Sequence, residues 1–227
     1  MEYKKIVEGT FLSRPNRFIA KVIIDGQEET VHVKNTGRCK ELLVPNCRVF
    51  LEDCRDNPTR KTKFDLIAVL KGDKLINMDS QSPNKAAKEF LETRFFQGRK
   101  AFVRPEYTYK NSRIDFYCEC EGEKYLIEVK GVTLESEGRT YFPDAPTERG
   151  IKHLEELSGA VDEGYKCGIL FVIQMEDVIS FAPNEITHPQ FKEALIKAKN
   201  KGVVPMSYSC IVTPSTMVID KEVPIIL

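Results

Sequence analysis

"RIDFYCECEGEKYLIEVKG", residues 113–131, decides how the chain is read. Two segments that alternate apolar and polar side chains flank Glu121-Gly122, the form of a β-hairpin with a two-residue turn. With that pair in the turn, Asp115 lies opposite Glu128 and Arg113 opposite Lys130. Alternation then sorts the faces. Ile114, Phe116 and Cys118 join Tyr125, Ile127 and Val129 on an apolar side, while Asp115, Glu128, Lys130 and Arg113 share the other. Like charges opposed across strands repel, and a divalent cation held between the carboxylates turns that repulsion into attraction. Oxygen donors of this kind suit Mg²⁺ or Mn²⁺. The plainer alternative is a solvated face whose ion pairs each contribute little.

Working outward, the segments before residue 80 are short and alternating: 3–12, 17–25, 28–34, 48–53 and 61–71, with a turn at Asp25-Gly26. Five such strands, with one short helix expected in "NTGRCKELLVPN", fit an OB-type barrel. From residue 84 the rhythm becomes helical in "NKAAKEFLETRFFQG", which ends at Gly98. Strands at 101–109, 113–120 and 124–130 follow. A helix capped by Thr147 then runs to Gly164. "KCGILFVIQ" reads as a strand covered on both faces, and a helix at 188–201 and a strand at 203–212 complete the order. The expected division is a barrel over residues 1–80 and a mixed α/β domain over 81–227.

The 227 residues carry no formal net charge, and 41% are hydrophobic and 30% charged, a globular composition in which any attraction to nucleic acid must come from local patches. No stretch reads as a signal peptide or a membrane span, so a cytoplasmic location and no membrane partner are expected. Seven cysteines without a CxxC pair argue against a disulfide framework or a zinc knuckle, and Cys118 and Cys120 read as small core residues.

An Asp followed on the next strand by Glu-x-Lys, within an α-β-β-β-α-β order, resembles the PD-(D/E)xK nuclease superfamily. "SRIDF", "YLIEVKGVTL", "YFPDAPTERGIKHLEEL" and "NTGR" together resemble the sugar fermentation stimulation protein family over essentially the whole chain. That resemblance implies an OB-like N-terminal domain and a restriction-endonuclease-like C-terminal domain. It also implies DNA as partner and a link to regulation of sugar-utilisation genes. The family's nuclease-like residues map onto Asp115, Glu128 and Lys130, with Asp144, Thr147, Arg149 and His153 from the following segment. In the expected mechanism Asp115, Glu128 and the Val129 carbonyl hold Mg²⁺, Lys130 positions a water, and Arg149 or His153 engages the phosphate. Spacing alone equally allows Arg149 and His153 to be surface ion-pair partners of Glu156 and Asp162. For a further acid, Glu106 ranks before Glu89 and Glu92, with Asn84 lying nearer the apolar stripe of its helix.

Residues 1–80 hold 15 Lys or Arg against 12 Asp or Glu. The useful signal is clustering: Arg14 and Arg17 flank a turn, Arg38 and Lys40 sit in the "NTGR" insert, and "RDNPTRKTK" adds more. Phe11 and Phe18 offer base-stacking surfaces only if they face outward. Two other readings stand beside a metal-dependent nuclease: a DNA-binding regulator that no longer cuts, and a sugar-binding barrel.

Overall fold

The computed structural model describes residues 1–227. Six strands form the first sheet: β1 (Ile6–Asn16), β2 (Ile19–Ile24), β3 (Gln27–Val33), β4 (Arg48–Asp53), β5 (Phe64–Lys71) and β6 (Lys74–Asn77). Their order is β3-β2-β1-β4-β5-β6, and a parallel β3–β5 pairing closes the first five into an OB-type barrel. Phe11, Val22, Val31, Leu51 and Leu66 fill its interior. The helix expected in residues 35–46 is absent; the chain turns there instead. Arg14 explains the difference. Its guanidinium donates to the loop carbonyls of Asn35, Gly37 and Arg38, and to that of Arg17, at 2.6–2.9 Å, so the first half of the loop is tied to a side chain and only the turn at Cys39–Leu43 forms helix-like backbone bonds.

Beyond the barrel, α1 (Ser82–Phe90) continues as one wider turn over Leu91–Phe95. The rest of the chain comprises β7 (Ala101–Tyr109), β8 (Ser112–Cys120), β9 (Glu123–Val132), β10 (Leu134–Ser136), β11 (Arg139–Phe142), α2 (Glu148–Asp162), β12 (Lys166–Ile173), β13 (Ser180–Pro183), α3 (Pro189–Lys201), β14 (Val204–Val212) and β15 (Met217–Glu222). The main sheet runs β15-β14-β12-β9-β8-β7, with β12 parallel to both β9 and β14. This is the α/β arrangement expected, with the α-β-β-β-α-β order in place. β6, β13, β15 and the β10–β11 hairpin, all short or near an edge, were not legible as strands. No helix is long and apolar enough to cross a membrane.

Two apolar layers sandwich the main sheet. Leu170 and Val172 of β12 turn toward α1, whereas Ile169, Phe171 and Ile173 turn toward α2 and α3, as an uninterrupted apolar strand requires. The hairpin follows the expected register over Phe116↔Ile127 to Cys120↔Glu123. It departs at Asp115. Ile114 packs in the α2-side core while Phe116 and Cys118 pack under α1, so the strict alternation expected for the three fails. The β7–β8 ladder keeps one register on both sides, at Pro105↔Phe116 and Tyr107↔Ile114, but lacks the pair between them. At that missing pair Glu106 adopts φ 55°, a left-handed conformation that twists both strands and exchanges their faces.

Candidate functional site

Where the β8–β9 ladder stops, the Asp115 carboxylate takes the place of a ladder acceptor. Its Oδ2 accepts from Val129 N–H at 2.8 Å and its Oδ1 from Asn84 Nδ2, on α1, at 2.8 Å. The N–H and C=O of one extended residue leave a strand on the same side, so the Val129 carbonyl faces the gap that holds Asp115. Glu128, 1% exposed, is held from the other layer. Its Oε1 accepts from Lys130 Nζ at 2.5 Å and from His153 Nδ1 on α2. Its Oε2 is buried with no hydrogen-bond partner.

Electrostatics divide the pair. Burial, then the Glu128 charge, push the Asp115 carboxyl above the ordinary range despite the Val129 and Asn84 donors. Burial also acts against ionised Glu128, but the His153 hydrogen bond and the Lys130 cation outweigh it and hold that carboxyl below the ordinary range. The expected opposition of the two carboxylates on one face is not found: the ladder ends before an Asp115↔Glu128 pair, and Asn84 holds Asp115 from the α1 layer while His153 holds Glu128 from the α2 layer, because the break at Glu106 and Asp115 exchanges the strand's faces. The two charges still act on each other across that break, and with the bare Glu128 oxygen and the Val129 carbonyl they supply oxygen donors of the kind a hard divalent cation takes.

Other expected residues are distributed differently. Thr147 is the α2 N-cap, its hydroxyl accepting from Gly150 N–H at 3.0 Å, while its own N–H donates to His188 Nδ1 at 3.2 Å. It therefore fixes the helix entrance rather than offering free donors. Arg149 Nε lies 3.4 Å from His153 Nε2, and the ring's other nitrogen, Nδ1, bonds Glu128. His153, expected as a phosphate contact, is 4% exposed and instead orients Glu128, while Arg149 is exposed. Asp144 abuts the barrel's "NTGR" loop: a Cβ on Gly37 would lie 2.7 Å from Asp144 Oδ2, so a side chain there would push Asp144 aside.

Glu106 does not reach the site. It is exposed and pairs with Arg113 at 3.7 Å, and this pairing also takes Arg113 away from its expected place beside Lys130. The additional partner is the amide of Asn84. Arg14 is likewise not a free cation, because its donors serve the loop carbonyls; Arg38 and Lys40 are exposed and make no ion pair, and exposed Arg17 lies 5.1 Å over the ring of exposed Phe18. Phe11 is core. In the "RDNPTRKTK" loop Arg55, Arg60 and Lys63 are neutralised by Asp53, Asp65 and Glu29.

Sequence reasoning missed the network that positions Asn84. Buried Asp79 bonds Tyr3 at 3.1 Å and Lys34 at 2.8 Å. Gln174, at the end of β12, donates to Asn77, Asp79 and Ser82 at 2.9–3.2 Å. These bonds join the barrel, the start of α1 and the main sheet. A cleft of about 370 Å³, lined by Asn35, Gly37, Gly131, Asp144 and Gln174 among others, opens between them, one residue beyond Lys130. Polar residues at scattered positions carry no periodic signal, so only the fold reveals their convergence.

Comparison with known proteins agrees with this fold. The family model described as the sugar fermentation stimulation protein RE domain matches residues 81–216, and the SfsA N-terminal OB domain matches residues 12–78. A sugar fermentation stimulation protein homolog of Desulfitobacterium hafniense is 56% identical over 217 residues, 96% of this chain and 94% of that protein. One of Clostridium beijerinckii is 52% identical over 227 residues, all of both chains. The solved structure of Pyrococcus furiosus SfsA in complex with Ca²⁺ is similar with a TM-score of 0.88, covering 100% of this chain and 98% of that one; at 24% identity this likeness concerns the fold.

Proposed function

The chain belongs to the sugar fermentation stimulation protein family, and from that premise we propose that it binds DNA and hydrolyses phosphodiester bonds with a divalent cation, Mg²⁺ or Mn²⁺, in the cytoplasm. The observation that carries this reading is Glu128 Oε2, a buried carboxylate oxygen left without a donor beside an Asp115 carboxyl that resists ionisation. Bare buried oxygens are unfavourable unless something positive completes them. Asp115, Glu128 and the Val129 carbonyl would hold the ion. When bound, such an ion lowers the pKa of a water and offsets charge on a phosphate. The Pyrococcus furiosus relative forms a complex with Ca²⁺, also an oxygen-seeking cation, which supports a site of this chemistry.

The chain's own residues do the rest. Lys130, 15% exposed and anchored on Glu128 Oε1, presents its ammonium to a water or a phosphate oxygen. His153 holds Glu128 in one orientation through Oε1, which leaves Oε2 free of protein donors. Arg149, on the outer side of His153, is placed to engage a phosphate. On the barrel, Arg38, Lys40 and the Arg17–Phe18 pair are free to meet a nucleic-acid backbone and one base. The family's name, sugar fermentation stimulation protein, supports a role of this activity in sugar utilisation.

The test is cleavage of single-stranded, duplex and branched DNA with Mg²⁺ and with Mn²⁺, comparing the wild type with Asp115→Asn. Metal-dependent product from the wild type alone is expected. Equal product from both proteins would remove the site. Salt-sensitive DNA binding without product from either would favour a regulator that does not cut.

A further inference from the structure

The barrel contains a second cluster of donors, unrelated to Asp115 and Glu128. Three neighbouring strands place His32, Asp65 and Glu52 in one row: His32 pairs with Asp65 across β3–β5, and Asp65 with Glu52 across β5–β4. Directly paired residues project from the same face of a sheet. Cys54 follows Glu52 by two residues, just beyond β4, and its sulfur joins them. One ligand atom each from Glu52, Cys54 and Asp65 lies within 4.8 Å of the other two. His32 Nδ1 is 3.2 Å from Asp65 Oδ1. Donors around one tetrahedral zinc ion, at bond lengths of about 2.0–2.3 Å, stand about 3.3–3.8 Å apart, so small side-chain rotations bring Glu52, Cys54 and Asp65 to a common centre, and His32, already beside Asp65, completes the set by turning its ring toward them.

The mixture of donors matters more than their number. A thiol, an imidazole and two carboxylates select borderline-soft transition ions, whereas Mg²⁺ and Ca²⁺ favour oxygen alone. A cation already stands at the cluster: the Arg60 guanidinium contacts Asp65, which is 3% exposed. Arg60 comes from the turn-rich loop between β4 and β5 and is partly exposed, so it can be displaced without disturbing a strand. The other nearby cation, Lys34, is engaged by Asp79. Location adds a consequence. The β3–β5 seam that closes the barrel consists of only two residue pairs, His32↔Asp65 and Val33↔Leu66, and donors from β3 and β5 would bridge it.

We propose that Cys54, Asp65, Glu52 and His32 form a zinc-type transition-metal site that staples the closing seam of the barrel. Binding displaces Arg60 and releases the Cys54 proton to solvent. It is independent of the hard-cation site on the main sheet.

The experiment uses the full chain, stripped with chelator and titrated with Co²⁺ in the absence of Mg²⁺. A thiolate-to-cobalt charge-transfer band with tetrahedral d–d absorption is expected, and Zn²⁺ should displace it. Cys54→Ser should remove the charge-transfer band and weaken Zn²⁺ binding at least about tenfold. Arg60→Ala should tighten binding, because it removes the competing cation. Asp115→Asn should leave the band intact, which separates this site from the nuclease reading. Zn²⁺ should raise the melting temperature of the wild type and not of Cys54→Ser. Absence of the band, its persistence in Cys54→Ser, or its loss in Asp115→Asn would each overturn the proposal.

Discussion

Carboxylates are brought together at two places in this molecule, and the two are completed in opposite ways. In the barrel, Glu52 and Asp65 are true ladder partners, and a guanidinium from a surface loop meets the more buried of them. In the main sheet, Asp115 and Glu128 flank a break in the ladder, are held from opposite layers by Asn84 and His153, and leave one buried oxygen bare. The first pair has a counter-ion of its own. The second has part of one, in Lys130, and the proposed ion would supply the remainder. Proximity of acids is thus common to both, and the unsatisfied oxygen distinguishes the site argued to do chemistry.

The largest expected effect tests that distinction. Lys130→Met keeps most of the side-chain stem but removes the ammonium beside Glu128 Oε1. DNA cleavage should fall about a hundred- to a thousandfold, the loss typical of one donor aimed at developing charge. DNA affinity measured in chelator should change little. Arg60→Met, the corresponding change at the barrel, should leave cleavage intact. Similar losses in both variants would erase the contrast between the two pairs.

Next in size is the residue that orients Glu128. His153→Ala removes the Nδ1–H donor and frees Glu128 to rotate. Calorimetry with Mn²⁺ should show binding weaker by about ten- to a hundredfold, the usual consequence of deleting a partner behind a metal ligand. His153→Asn, able to donate from its amide, should recover part of the affinity. Unchanged Mn²⁺ affinity in the alanine variant would show that His153 is core packing only.

A smaller effect appears in stability against pH, measured by urea unfolding in chelator. The Asp115 pKa is raised in the folded protein, so the native state binds more protons than the unfolded chain above the ordinary Asp range. Its contribution therefore declines as pH rises from that range through the folded pKa, by up to about 1.4 kcal/mol per unit for one proton. Glu128, with a lowered pKa, behaves oppositely. Its contribution is present above the ordinary Glu range and is lost as pH falls through the folded value. Asp115→Asn should remove the decline and raise metal-free stability near neutrality, whereas Glu128→Gln should lower it. Divalent ions should stabilise the wild type more than either variant.

The extent to which these features were legible follows from what alternation can report. From Phe116 to Ile127 the hairpin's register follows from the turn and the pleat alone, and the parity that joins Glu128 with Lys130 holds. The same rule fails at Ile114. It assumes an unbroken ladder, whereas here a side chain replaces a backbone acceptor and Glu106 adopts a left-handed turn. Asn84 and Gln174 are distant in sequence from the residues they position, and a single amide in a helix or at a strand end has no pattern. Arg14 shows the converse limit. Its clustering with other cations suggested phosphate, yet a charged side chain near a turn can equally serve carbonyls.

That ambiguity between Arg14 and its neighbours yields the smallest effect, and it separates fold from binding within one loop. Arg14→Ala strips a donor from four carbonyls, and unfolding should register a loss of about 1–3 kcal/mol, the range for leaving polar groups unsatisfied. Arg38 is exposed and makes no ion pair, so Arg38→Ala should leave the unfolding midpoint where it is. Its effect should appear in DNA binding, as a slope of log affinity against log salt shallower by about 0.7–0.9, the loss of one phosphate contact. If Arg38→Ala instead destabilised the protein while Arg14→Ala weakened DNA binding without destabilising it, the roles assigned to the two side chains would have to be exchanged.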